Sequence, residues 1–198
     1  RPATLESWTT QPADARVTRA FLPMIRASAG CVVQLSSVAG RTVFPESGFY
    51  AATKHAVEAM SEALFQETCT LGVTVRVIEP GSFDTGFLAR AATESPPPPP
   101  GSPYDALRPM WGERKTEVLE PPQPPELVAD AILRSLDDPR PFLRIPVGPD
   151  GERILGLRDD LGPDDWAAVL GHRAGLTGPD TISPEGVLAG QRIEAARA

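Results

Sequence analysis

The sequence predicts an α/β fold, a parallel sheet with helices on both faces, and three observations lead there. A short apolar run at 31–36 and a β-branched run at 73–78 flank a long helical stretch at 49–71. That order reads as strand, helix and a second, parallel strand, and such a crossover should be right-handed. After Pro125, Val128, Ile132 and Leu136 recur at helical spacing, and the run 142–147 follows as a third strand. The result is part of a doubly wound sheet.

Taken in order, residues 13–29 form a helix with Val17, Ala20, Phe21 and Met24 on one face and Gly30 as its stop. Pro23 lies inside that pattern and is expected to kink or loosen the last turns. Cys31-Val-Val-Gln-Leu-Ser36, bounded by Gly30 and Ser37, reads as a buried strand. Residues 37–49 carry Gly40, Pro45 and Gly48 and read as a loop. In the helix at 49–71, Ala56, Met60, Ala63 and Leu64 share the apolar face, Glu58 and Glu62 point elsewhere, and Gly72 caps the end. Pro146 marks the third strand as an edge or its end. Between the second and third strands, prolines at 96–100 and at 121, 122, 124 and 125 stiffen a long segment holding Tyr104, Met110 and Trp111. Two regions are expected: 1–150, a truncated domain with a proline-rich substrate loop at about 86–125, and 151–198, a weakly structured extension with a short helix at 166–170.

A length of 198 residues with 41% hydrophobic content fits one packed domain. The formal charge of −7 argues against a nucleic-acid surface or an anionic membrane as partner. No run approaches membrane-spanning length and no charged-then-apolar leader opens the chain, so a cytoplasmic protein is expected. Cys31 and Cys69 read as two buried thiols. His55 and His172 show no ligand spacing to them, and no metal site is expected. Both histidines read as surface residues. The chain begins at Arg1 without a Met, as a fragment, a processed chain or a truncated product would.

Three motifs carry chemistry together: Ser36-Ser37, Tyr50-Ala-Ala-Thr-Lys54 and Glu79-Pro-Gly-Ser-Phe-Asp-Thr85. Tyr50 and Lys54 stand one helical turn apart and face the same way. A phenol titrates near ~10, and bringing it to about 7 takes roughly 4 kcal/mol of preferential phenolate stabilisation. One ammonium at about 4 Å supplies about that much at an effective dielectric near 20. Ser37 follows a strand's carboxyl end, where open α/β sheets place their sites. Its hydroxyl can donate to a substrate carbonyl while Tyr50 gives the proton. Each motif also has a plain reading: a turn-capping serine, a solvated helix pair, a turn. Phe44, Phe49, Phe83, Phe87 and Trp111 suit a pocket wall or ordinary core equally.

Jointly these residues resemble the short-chain dehydrogenases/reductases. The resemblance runs from Val17 to Phe87, through Leu-Pro-Met at 22–24, Ser36-Ser37-Val-Ala-Gly40, Phe49-Tyr50-Ala-Ala-Thr-Lys54 and Glu79-Pro-Gly81 with Thr85, with a weaker echo at 124–137 and 143–148. It implies the second half of an NAD(P)-binding Rossmann domain, with Ser37, Tyr50 and Lys54 as the catalytic residues. Tyr50 is the implied acid/base, while Lys54 lowers its pKa and holds the nicotinamide ribose. Tyr50, Lys54, Pro80, Gly81, Phe83 and Thr85 are the implied cofactor-binding residues, with NAD and NADP left open. The family's opening Gly-x-x-x-Gly-x-Gly turn has no counterpart among the 17 glycines, and Thr10 stands where the family has a catalytic Asn. The N-terminal cofactor-binding half is therefore expected to be missing, and with it the helix N-terminus that holds pyrophosphate.

The function expected is an NAD(P)-dependent oxidoreductase interconverting an alcohol and a ketone or aldehyde. Its partner is a small alcohol or carbonyl substrate, and a homo-oligomer is expected. The alternative is a truncated, catalytically silent relative acting as an oligomerisation or binding module.

Overall fold

A computed structural model describes residues 13–87, 90, 101–102 and 121–173. Three parallel strands, β1 (Cys31–Leu35), β2 (Thr74–Pro80) and β3 (Phe142–Val147), form one sheet in the order β1-β2-β3. Helices α1 (Ala13–Ala27) and α2 (Gly48–Thr68) precede β1 and β2, and α3 (Glu126–Leu136) precedes β3. Helices α4 (Pro149–Leu161) and α5 (Pro163–Arg173) follow the last strand. The alternation predicted from the runs at 31–36, 73–78 and 142–147 is thus present. β3 lies at an edge of this sheet, where Pro146 costs no ladder bond.

Strand period divides the sheet residues between two faces. Val32 and Gln34 pair in register with Val75 and Val77, and Gln34 Nε2 donates to Thr18 Oγ1 of α1 at 2.8 Å. The opposite face carries Ile78, Val147 and Ala131 of α3 as a buried cluster, with Val33, Phe83, Val128, Ile132 and Ile145 packed against it. A second cluster joins Val38 and Phe44, on the loop after β1, to Ile154 and Leu155 of α4 and to Trp166, Val169 and Leu170 of α5. Trp166 Nε1 donates to the buried Thr42 hydroxyl. The expected boundary at 150 falls in the first turn of α4, whose Ile154 and Leu155 are fully buried. Residues 174–198 lie outside the described residues, as do Thr10 and most of the proline-rich segment, including Tyr104, Met110 and Trp111.

Several expectations about burial are corrected. Cys31 and Cys69 are exposed free thiols. Cys31 shares the face of Val33 and Leu35 on β1, where Leu35 is half exposed. The face of α1 bearing Val17, Phe21 and Met24 points outward, and Ala15 is that helix's buried residue. α2 buries Ala51, Val57, Glu58, Ser61 and Thr68 rather than the face with Ala56, Met60, Ala63 and Leu64. The strip facing the sheet contains a carboxylate because charged partners await it there.

Candidate active site

The carboxyl ends of β1 and β2 gather the motif residues. Ser36 continues the ladder, its N–H donating to the Ile78 carbonyl at 2.8 Å. Ser37 is extended and buried, and it caps a single 3-10 turn at Val38–Gly40. Its Oγ accepts the Ala39 N–H at 3.1 Å and donates to the Pro80 carbonyl at 3.4 Å. The plain reading of a turn-capping serine therefore holds, and the same hydroxyl also bridges the two strand ends.

Tyr50 sits in the first turn of α2, half-buried, with its ring centroid 5.1 Å from that of Phe87 at a 42° tilt. One turn on, Lys54 Nζ donates to the Leu35 carbonyl at 2.8 Å. In this parallel ladder Gly30 and Ser36 aim their backbone groups at β2, so Leu35 aims its own away from it. Lys54 therefore occupies an acceptor on the side of β1 turned away from β2, directly before Ser36-Ser37. Desolvation pulls the Lys54 pKa down, and the charges of Asp14 and Glu58 oppose that pull. Glu58 is the next residue along the stripe Tyr50, Lys54, Glu58, each one helical turn after the last.

The loop after β2 carries the remaining candidates. The Gly81 N–H donates to the Val147 carbonyl at 3.0 Å. Phe83 bridges to Gln123 and packs its ring on the Ile78–Val147 cluster. Thr85 and Phe87 are exposed. The structure so brings together Ser37, Lys54, Pro80 and Gly81 at one end of the sheet, with Tyr50 on the same helix turn as Lys54. It leaves Phe83 in apolar contact and Thr85 at the surface. His55 is exposed, its Nδ1 2.9 Å from the Ala51 carbonyl of its own helix.

Two features go beyond the roles the motifs imply. Behind the site, Glu79 is completely buried and Glu58 nearly so. Arg144 Nε reaches Glu58 at 2.9 Å and its Nη2 reaches Glu62 at 2.8 Å, while Arg41 Nη1 lies 3.6 Å from Glu79. Burial, then the charge of Glu58, pushes the Glu79 carboxyl up to about 7 against the pull of Arg41 and Arg144. Among the described residues, neither Glu79 oxygen has a donor within hydrogen-bond distance, nor do Glu58 Oε1 and Ser36 Oγ have a partner. The second feature is Asp150, buried beneath Gly81. A glutamate closing an apolar strand, and an aspartate after Gly148-Pro149, are the available sequence signals.

Residues 13–95 match the family model described as short chain dehydrogenase. Over that segment the chain is similar to the short-chain dehydrogenases/reductases. An uncharacterized oxidoreductase of Schizosaccharomyces pombe is 32% identical over 158 residues, which are 79% of this chain and 64% of the relative. Mitochondrial D-beta-hydroxybutyrate dehydrogenase of Bos taurus is 46% identical over 79 residues, 40% of this chain and 23% of the relative. Among solved structures, a short-chain dehydrogenase from Streptomyces avermitilis superposes with a TM-score of 0.56 at 29% identity, covering 75% of this chain and 54% of that one. The chain spans less than two thirds of the length of these proteins. Among the described residues, no helix is long and apolar enough to cross a membrane.

Proposed function

We propose that the protein is an NAD(P)-dependent oxidoreductase that interconverts a small alcohol and its ketone or aldehyde, with Tyr50 as acid/base. One observation supports this reading: inside the segment that matches the family, the Ser37 hydroxyl bonds the Pro80 carbonyl at the carboxyl end of β2 and Lys54 bonds the Leu35 carbonyl at that of β1. The donor set suits the nicotinamide riboside end of a dinucleotide. An ammonium and a phenol stand one turn apart to meet ribose hydroxyls, and Pro80, Gly81, Phe83 and Thr85 follow on the adjoining loop.

When bound, a reduced nicotinamide supplies the hydride that adds to the substrate carbonyl carbon. Ser37 holds the carbonyl oxygen by donating the hydrogen bond that it now gives to Pro80. Tyr50 transfers its phenolic proton to that oxygen as the alcohol forms, and the reverse direction returns it. Lys54 favours the phenolate through its charge, and Glu58 behind it helps keep Lys54 protonated. The match to D-beta-hydroxybutyrate dehydrogenase makes 3-hydroxy acids and their keto partners the first substrates to try. Substrate choice is assigned to the segment 85–120, since loops on such scaffolds set specificity. A homo-oligomer in the cytoplasm is part of the same proposal. The silent-module alternative draws no support from a site in which the serine, tyrosine and lysine are all present.

The test is loss of reduced-nicotinamide absorbance with a panel of small ketones, run at about millimolar cofactor because the 198 residues hold no Gly-x-x-x-Gly-x-Gly turn. Turnover should appear with at least one ketone, and Ser37→Ala should cut kcat/KM by about 100-fold or more. Unaltered turnover in Ser37→Ala would remove the serine from the mechanism.

A further inference from the structure

The end of β2 and the start of α4 meet more closely than side chains allow. A Cβ at Gly81 would lie 1.9 Å from Asp150 Oδ1 and 2.8 Å from the Gly151 nitrogen. A Cβ at Gly151 would lie 3.3 Å from the Gly81 nitrogen and 3.5 Å from the Glu79 carbonyl oxygen. The two glycines let the first turn of α4 rest directly on the loop at 80–82. Gly148, at φ +90, turns the chain out of β3 to make that approach.

Into this contact the fold places a fully buried carboxylate. Asp150 accepts the Ser82 N–H at 2.9 Å on Oδ2 and 3.2 Å on Oδ1, and it accepts the Gly151 N–H at 2.9 Å. A buried carboxylate is costly unless such donors surround it. Backbone N–H groups supply them here, one from the loop and one from the helix, so the carboxylate ties the two backbones together. The Gly81 N–H goes to the Val147 carbonyl, and the loop is therefore held from the β3–α4 connection at two successive residues. The same loop offers its Pro80 carbonyl to the Ser37 hydroxyl.

We infer that Asp150 is a positioning residue of the site. Through the Ser82 N–H it fixes the loop at 80–82, and so fixes both the place of the Ser37 hydroxyl and the surface that the loop offers to a nicotinamide. The inference rests on the oxidoreductase reading above. It adds a residue that touches neither substrate nor cofactor and lies 68 positions from its main donor in sequence.

Two readouts on Asp150→Asn test it. Hydrogen exchange of the chain without cofactor should show the Ser82 amide exchanging at least about tenfold faster, with the Val75 and Val77 amides of β2 unmoved. In the ketone assay, kcat should fall by about 10- to 100-fold while KM for the ketone stays within about twofold. Should Asp150→Asn fail to fold, Asp150→Ser, whose hydroxyl still accepts one N–H, serves the same comparison. Unchanged Ser82 exchange would overturn the clamp. Faster exchange with kcat unmoved would leave Asp150 a structural residue and overturn its positioning role. A wild-type protein without turnover on any ketone would instead count against the oxidoreductase reading and remove the role that depends on it, while Ser82 exchange would still report whether the clamp exists.

Discussion

The two faces of the sheet bury charge in opposite ways. On the α3 face, Arg76 is 2% exposed, yet its guanidinium is met on every side by carbonyl oxygens. Nε donates to Ser135 at 2.8 Å, Nη2 to Asp138 at 2.8 Å, and Nη1 to Val75 and Pro141 at 3.3 and 3.4 Å. Two of these acceptors lie at or just past the end of α3, where helix carbonyls lack internal donors and the dipole favours a cation. On the α2 face, Glu58 and Glu79 are buried, and among the described residues three of their four oxygens lack a hydrogen-bond donor. The first face uses a charge as a cap and stays inert. The second keeps the Glu79 carboxyl, which burial and the charge of Glu58 push up to about 7. The comparison teaches that the number of satisfied oxygens or N–H groups, and not burial alone, separates a structural charge from a responsive one.

The largest effect expected from breaking this contrast is at Arg76. Arg76→Met keeps the length and apolar volume but orphans the carbonyls of Ser135 and Asp138. A loss of about 3–5 kcal/mol should follow, seen as a fall in Tm of roughly 10 °C. A smaller loss in Arg76→Lys would show that the planar, multiply donating fork matters in addition to the charge.

Glu79 should respond with the opposite sign. An unfolded glutamate titrates near ~4.3, whereas the folded carboxyl sits at about 7. Between those values the folded state binds more protons than the unfolded one, so the Glu79 contribution falls as pH rises through the window and levels off above it. Glu79→Gln should lack this slope and be more stable than wild type at pH ~8 by about 1–3 kcal/mol. Chemical denaturation across pH 4.5 to 8, at steps of roughly half a unit, measures the difference. Parallel curves for the two proteins would mean the carboxyl is not perturbed. The smallest effect belongs to Glu62, half exposed and paired to the outer nitrogen of Arg144. Glu62→Gln should change stability by less than about 0.5 kcal/mol.

What the sequence reveals follows the same division. The strands at 31–35, 74–80 and 142–147 and the long helix α2 are legible because apolar runs and helical period survive burial on both faces. The placement of Ser37 and Lys54 at the strand ends is legible because each follows closely, in sequence, an apolar run or a helical start. Glu58, Arg76, Glu79 and Asp150 are not, since polarity alone sends each to the surface. The partners that bring them inside are remote in sequence: Arg144 for Glu58, Ser135 for Arg76, Ser82 for Asp150. The outward face of α1 is illegible for the converse reason, because a helical apolar stripe does not state what covers it. Helices α4 and α5 give a weak pattern because their buried strips are short and interrupted by glycine and charge.

The central claim is that the turn of α2 carrying Tyr50 and Lys54 performs proton transfer at the end of β1. Tyr50→Phe tests it most directly, because it removes one oxygen while keeping the ring that packs against Phe87. In the ketone assay, kcat should fall by about 100-fold or more, with Tm within a few degrees of wild type. Turnover in Tyr50→Phe equal to that of wild type would contradict the assignment.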